Sequence, residues 1–201
     1  MPIRLDHRNP DFSERFAAFL SMKREVSRDI DTAARAIVED VAARGDAALI
    51  EATAKFDRLT LTADTLRVSA EEIASATASC DPKTVDALKL ARDRIETYHR
   101  RQLPKDERFT DALGVELGWR WNAVDAAGLY VPGGTAAYPS SVLMNAVPAK
   151  VAGVARVVMV VPSPDGKLNP LVLAAASLAG ITEVYRVGGA QAVAALAYGT
   201  A

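Results

Sequence analysis

The spacing of apolar positions changes character twice along this chain. Phe12, Phe16, Phe19 and Leu20 recur at i, i+4, i+7 and i+8 and predict a short amphipathic helix. Ile30, Ala33, Ala34, Ile37, Val38 and Val41 form a second stripe that stops at Arg44-Gly45, with glycine where a helix commonly turns off. Asp46 is placed to cap a third helix bearing Leu49, Ala52 and Phe56. Leu66-Arg67-Val68 reads as a short strand. Ser69 and Glu72 then have capping-box spacing. Asp81-Pro82 pairs an N-cap with proline at the first helical position, and Val85, Leu88 and Ile95 mark a long helix ending near Leu103-Pro104.

The period then becomes two. Val115, Leu117, Trp119 and Trp121 alternate with polar or small residues and predict a half-buried strand, one of a pair near 113–124. From Ala126 onward apolar strands alternate with helices. Strands are predicted at Ala126–Val131, Arg156–Val161 and Glu183–Val187. The helices between and after them cover Val142–Val151 with Ser140 or Ser141 as cap, a stretch opened by Pro170 and closed at Gly180, and Ala190 to Tyr198. Right-handed crossovers make this an incomplete parallel sheet with flanking helices, so the fold class is α/β with a helical N-terminal region. Its last strand is expected to present an open edge. A sheet this small, with the sequence stopping one helix later, leads to the expectation of a fragment of a longer polypeptide.

Composition narrows the class. The 201 residues are 50% hydrophobic and 24% charged with a net charge of −1, an ordinary soluble mixture without the basic excess that nucleic acid or an anionic membrane would attract. The longest apolar runs are far shorter than a bilayer requires, and the first residues lack the apolar core of a signal peptide. Cys80 is the only cysteine, which rules out an intrachain disulfide and suits a reducing, cytoplasmic setting.

The candidate site lies in two glycine pairs, each following a strand and preceding a helix. One is Gly128-Leu129-Tyr130-Val131-Pro132-Gly133-Gly134; the other is Val187-Gly188-Gly189-Ala190-Gln191. Glycines at the carboxyl ends of parallel strands let a ligand approach backbone N–H groups at helix starts. Neither pair is a dinucleotide fingerprint, which needs G-x-G-x-x-G and a later acid. Tyr130 adds a ring and a hydroxyl, and Gln191 a donor–acceptor amide. Gly133 stands where close backbone approach, and a φ closed to other residues, ask for glycine. Catalytic groups are scarce. His7 and His99 are the only histidines, Ser140 and Ser141 have no base near them, and no metal-ligand spacing occurs, so no catalytic or metal residue is assigned within this chain.

These residues, with Ser141-Val142-Leu143-Met144, Pro148-Ala149, Ala197-Tyr198-Gly199-Thr200, Ala43-Arg44-Gly45-Asp46, Lys55-Phe56-Asp57 and Val68-Ser69-Ala70-Glu71-Glu72-Ile73, resemble the amino-terminal half of the histidinol dehydrogenase family. The resemblance covers essentially the whole chain. It implies a zinc-dependent, NAD-linked homodimer that oxidises L-histidinol through the aldehyde to L-histidine. It also implies two incomplete Rossmann-like domains: here residues 1–25 as an N-terminal helical arm, 26–127 as the mainly helical part of the first, and 128–201 as a truncated NAD-binding part. Tyr130 and Gln191 match the family's NAD-contacting tyrosine and glutamine, with Pro132, Gly133, Gly134, Gly188 and Gly189 around them. By the same resemblance the Zn2+ ligands and a Glu–His catalytic pair belong to the carboxy-terminal half, beyond Ala201. Two other readings fit these residues: a related dehydrogenase for another amino- or sulfo-alcohol, and a non-catalytic nucleotide-binding or assembly module.

Overall fold

The computed structural model describes residues 3–133 and 138–200, with side chains for all of these except 22–28. The helical region opens with α1 (Phe12–Arg44), a single helix where two were expected; nothing in the sequence between the two apolar stripes breaks it. Gly45 ends it at φ 58, its N–H returning to Val41 O. Gly45 also precedes α2 (Asp46–Asp57), so Asp46 is the first helical residue and not the predicted cap. The short α3 (Ala63–Leu66) is followed by α4 (Ala70–Ala78), whose capping box is the one predicted: Ser69 Oγ accepts from Glu72 N–H, and Glu72 Oε2 accepts from Ser69 N–H. Asp81 caps α5 (Pro82–Arg100) through Thr84 N–H, with Pro82 at the first position, also as predicted.

The strand pair falls earlier than expected and packs differently. β1 (Glu107–Thr110) and β2 (Glu116–Trp119) form an antiparallel hairpin in place of one near 113–124. Asp111 Oδ1 gathers the N–H groups of Leu113 and Val115, and Gly114 takes φ 87, which sets the turn there. All eight strand residues are exposed, so Leu117 and Trp119 alternate without burying a face. Trp119 packs edge-on against Phe109 and donates to Lys105 O, a local cluster apart from the core.

β3 (Ala126–Tyr130), β4 (Arg156–Val160) and β5 (Glu183–Tyr185) form the parallel sheet in that order, with Tyr130 beside Val160 and Val160 beside Tyr185. The period of two sorts their side chains onto opposite faces. Leu129, Val157, Met159 and Val184 enter the larger core with α6 (Pro139–Val151), α7 (Pro170–Leu178), α4 and α5. Val160 and Val187 pack on the other side with Leu49, Leu66 and Ala192, beneath α2 and α8 (Gly189–Tyr198). Helices on both faces make the sheet doubly wound, as the strand–helix alternation predicts. Full burial of side chains such as Leu143 and Met159 contributes about 1.5–3 kcal/mol each.

Two details differ from expectation. Tyr138 precedes α6 and Pro139 starts it, which puts Ser140 and Ser141 inside the first turn and not at the cap. The outer edge of β5 is not open. Arg67 forms an antiparallel bridge to Tyr185, Val68 N–H donates to Val184 O, and Arg186 N–H donates to Leu66 O. The predicted Leu66-Arg67-Val68 strand is thus a single bridge that covers this edge.

Candidate functional site

β3, β4 and β5 end side by side, so their carboxyl-terminal turns share one rim. Tyr130 closes β3 and is 38% exposed. Gly188 closes the turn after β5 and precedes α8, whose first residue, Gly189, takes φ 65. The first N–H groups of a helix have no acceptor within it. Here Gly189 N–H donates to the Tyr130 hydroxyl at 3.0 Å, so β3 and α8 meet through one hydrogen bond.

Gln191 lies two residues into α8 and is 2% exposed. Its amide lies against Gly189: a Cβ there would sit 3.1 Å from Gln191 Cδ and 3.2 Å from Nε2, and would overlap Oε1. Tyr130 and Gln191 therefore converge on the same glycine, one from the rim and one from beneath. Gly189 is the position where glycine is required twice over, by its positive φ and by this side chain.

The other glycines have a different reason. A Cβ on Gly188 would stand 2.6 Å from Pro162 Cβ, and one on Gly133 would stand 2.7 Å from Pro162 O. Pro162 follows β4 and fills the notch between the two turns. Gly133 does not have the positive φ expected of it; its glycine is explained by packing on Pro162. Gly133 and Pro132 are exposed, whereas Gly188 is buried. Gly134 lies outside the described residues.

Among the described residues, the hydrogen bonds and ion pairs of Cys80 and His7 do not join them to this rim. Cys80 is half-buried with its Sγ on Ala76 O, and His7 lies in the exposed segment before α1, next to Asp6. Among the described residues no group of three or more His, Cys, Asp or Glu side chains converges to hold a metal ion, and no helix is long and apolar enough to cross a membrane. Glu183, the first residue of β5, is engaged by Arg156 across the sheet at 2.7 Å, and that guanidinium holds its carboxyl below the usual carboxylate range.

Sequence reasoning missed Pro162, whose only signal was a proline at a strand end. It also passed over Asp57. This residue ends α2 with 9% exposure, and its Oδ2 is buried without a partner. Burial raises its pKa above the ordinary 3.8; the Ser163 N–H, and more weakly the charge of Arg58, pull it part of the way back. Asp57 was visible only as part of Lys55-Phe56-Asp57.

This arrangement defines an α/β protein with an incomplete, Rossmann-like parallel sheet whose glycine turns share the carboxyl rim. A family model for histidinol dehydrogenase matches residues 20–201. The histidinol dehydrogenase of Bradyrhizobium diazoefficiens is 79% identical over 201 residues, covering 100% of this chain and 47% of that protein. That of Rhodopseudomonas palustris is 76% identical over the same 201 residues, again 47% of its length. A crystal structure of histidinol dehydrogenase from Elizabethkingia anophelis superposes with a TM-score of 0.79 at 34% identity, covering 85% of this chain and 39% of that one. The chain belongs to the histidinol dehydrogenase family, and it spans about half the length of the curated relatives it matches.

Proposed function

We propose that this chain is the amino-terminal half of an enzyme that oxidises L-histidinol to L-histidine, the closing steps of histidine biosynthesis, and that its sheet rim forms part of the NAD site. The observation that carries the reading is the convergence of Tyr130 and Gln191 on Gly189 at the start of α8. NAD+ bound at this rim would supply the hydride acceptor, one equivalent for the alcohol and a second for the hydrated aldehyde. The contribution of this chain is binding and orientation. The amino end of α8 offers backbone N–H groups and the positive end of a helix dipole, which suit the anionic diphosphate of a nucleotide. Exposed Pro132, Gly133 and Gly189 keep the backbone approachable, and Gly134 belongs to the same cradle by sequence. Tyr130 holds the first amide of α8 and presents its ring at the rim, while buried Gln191 supports the turn from below.

Zinc is a different case. Membership of the family supports assigning the Zn2+ ligands and the Glu–His pair to the half of the protein outside this chain, and the described residues gather no ligand set of their own. The 201-residue chain alone then carries no turnover, and the full-length protein works as a homodimer in the cytoplasm.

The test is steady-state kinetics on the full-length protein with histidinol and NAD. Histidinol-dependent NADH formation is expected. Tyr130→Phe removes one hydrogen bond of about 1 kcal/mol and should raise the KM for NAD about fivefold, leaving the KM for histidinol unmoved. Absence of histidinol oxidation defeats the substrate assignment. A KM for NAD that neither Tyr130→Phe nor Gln191→Ala shifts defeats the assignment of the rim.

A further inference from the structure

Three departures from ordinary backbone and side-chain chemistry gather at one joint, between the end of α2 and the loop after β4. The first is Asp57, whose buried Oδ2 has no partner, a state disfavoured relative to a satisfied group. The second and third are Arg58 and Asp165, at φ 53 and φ 54 the only non-glycine residues with positive φ among the described residues. Such conformations are strained and persist only where their surroundings hold them.

The three belong to a single contact. Arg58 grips Asp165 with a two-pronged ion pair, Nε to Oδ1 at 2.7 Å and Nη2 to Oδ2 at 2.8 Å. Leu59 lies against Gly166, its Cδ1 3.3 Å from where a Cβ would stand. Asp57 lies close enough to the N–H of fully buried Ser163 for that dipole to draw its carboxyl pKa down. Three consecutive residues of the α2 end thus seize the segment that begins immediately after Pro162. Pro162 in turn fills the notches at Gly133 and Gly188. Lys55 and Phe56, the other members of the motif, take no part; Lys55 sits over the exposed Phe56 ring.

We infer that the Asp57-Arg58-Leu59 joint is a clamp that sets the Pro162 wedge, and through it the two glycine turns, with Asp57 as the positioning residue of the nucleotide site. It touches no reacting atom. The inference rests on the reading of this rim as the NAD site and adds the device that shapes it. A buried acid with one unpartnered oxygen and two strained residues are retained there because they fix a loop, a role that ordinary packing at lower cost would leave looser.

The experiment compares Asp57→Ala, Asp57→Asn and Arg58→Ala in the full-length protein, measuring the KM for NAD, the KM for histidinol, kcat and the melting temperature. Asp57→Ala should raise the KM for NAD about tenfold with the KM for histidinol and kcat within about twofold, a selective effect of one decade. Asp57→Asn keeps the size and an acceptor for Ser163 N–H, and should restore most of the affinity. Arg58→Ala alters an exposed pair at little cost in folding and should raise the KM for NAD severalfold. It carries the test alone where Asp57→Ala does not fold. Unchanged KM for NAD in Asp57→Ala or in Arg58→Ala overturns the inference, as does a loss of kcat and melting temperature in parallel with no selective change for NAD. If Tyr130→Phe and Gln191→Ala shift the KM for NAD while the joint variants do not, the rim stands and only the clamp falls.

Discussion

Replacing Gly189 by alanine tests the geometry of the rim most directly. Two costs arise. At φ 65 an alanine occupies the left-handed region, at about 1–2 kcal/mol. Its Cβ also overlaps the Gln191 amide, and forcing a buried side chain aside costs about 1–3 kcal/mol more. The substitution should therefore destabilise α8 by about 2–5 kcal/mol in the parent. In a Gln191→Ala background the overlap is gone and only the backbone cost of about 1–2 kcal/mol remains. The double-mutant cycle should return a coupling of about 1 kcal/mol or more. Hydrogen exchange of the α8 amides in the full-length protein reads the local opening free energy without requiring the whole chain to unfold in one step. Gly188→Ala serves as control: its backbone, at φ −136, is unstrained and its Cβ would meet Pro162, so its cost should be independent of residue 191. Equal cost of Gly189→Ala in both backgrounds refutes the placement of Gln191, and a cost near zero in the parent refutes the positive φ.

Two pH experiments follow from the carboxylates. Burial raises the Asp57 pKa above 3.8, so the folded state holds its proton to higher pH than the unfolded chain, and stability falls as pH rises through that window. Asp57→Asn should consequently equal or exceed the parent in melting temperature at pH 7, the difference fading as pH drops below the ordinary value of 3.8; a variant less stable at neutral pH contradicts this. Glu72 behaves oppositely. Arg186, and after it the Ser69 N–H, hold its carboxyl below the ordinary 4.5, so its contribution is present above that value and disappears as pH falls through the lowered one. Glu72→Gln should lower the melting temperature at neutral pH and converge with the parent on the acid side of 4.5, where parallel curves would contradict the assignment.

The α/β half was legible in the sequence because each element there has its own punctuation. Pro170 opens α7 behind Asn169, whose side chain accepts from Leu171 N–H, and the β-branched run from Arg156 has the length and burial of a central strand. Ser69 with Glu72, and Asp81 with Pro82, are signals written within four residues, and both hold. Errors arose where local pattern had no say. The hairpin alternates without a core to face, because its aromatic pair packs only on itself. The break expected between the Phe12 and Ile30 stripes had no glycine or proline behind it, and the helix runs on. At the rim, the approach of Tyr130 and Gln191 to one glycine follows from their places, Tyr130 at the end of β3 and Gln191 in the first turn of the helix after β5. The reason for Gly133 and Gly188 does not follow from theirs, since the atom that excludes a side chain belongs to Pro162, remote in sequence. Asp57 and Ser163 are hidden for the same reason: their relation exists only after α2 has docked.

The shared wedge also constrains heredity. A methyl group at 133 or at 188 has room only if residue 162 yields, and a side chain smaller than proline at 162 removes the ring on which Gly188 packs. The three positions form one lock with a common tumbler. Among diverging descendants they are expected to be replaced in concert or kept unaltered, whatever drift occurs in the loops between them.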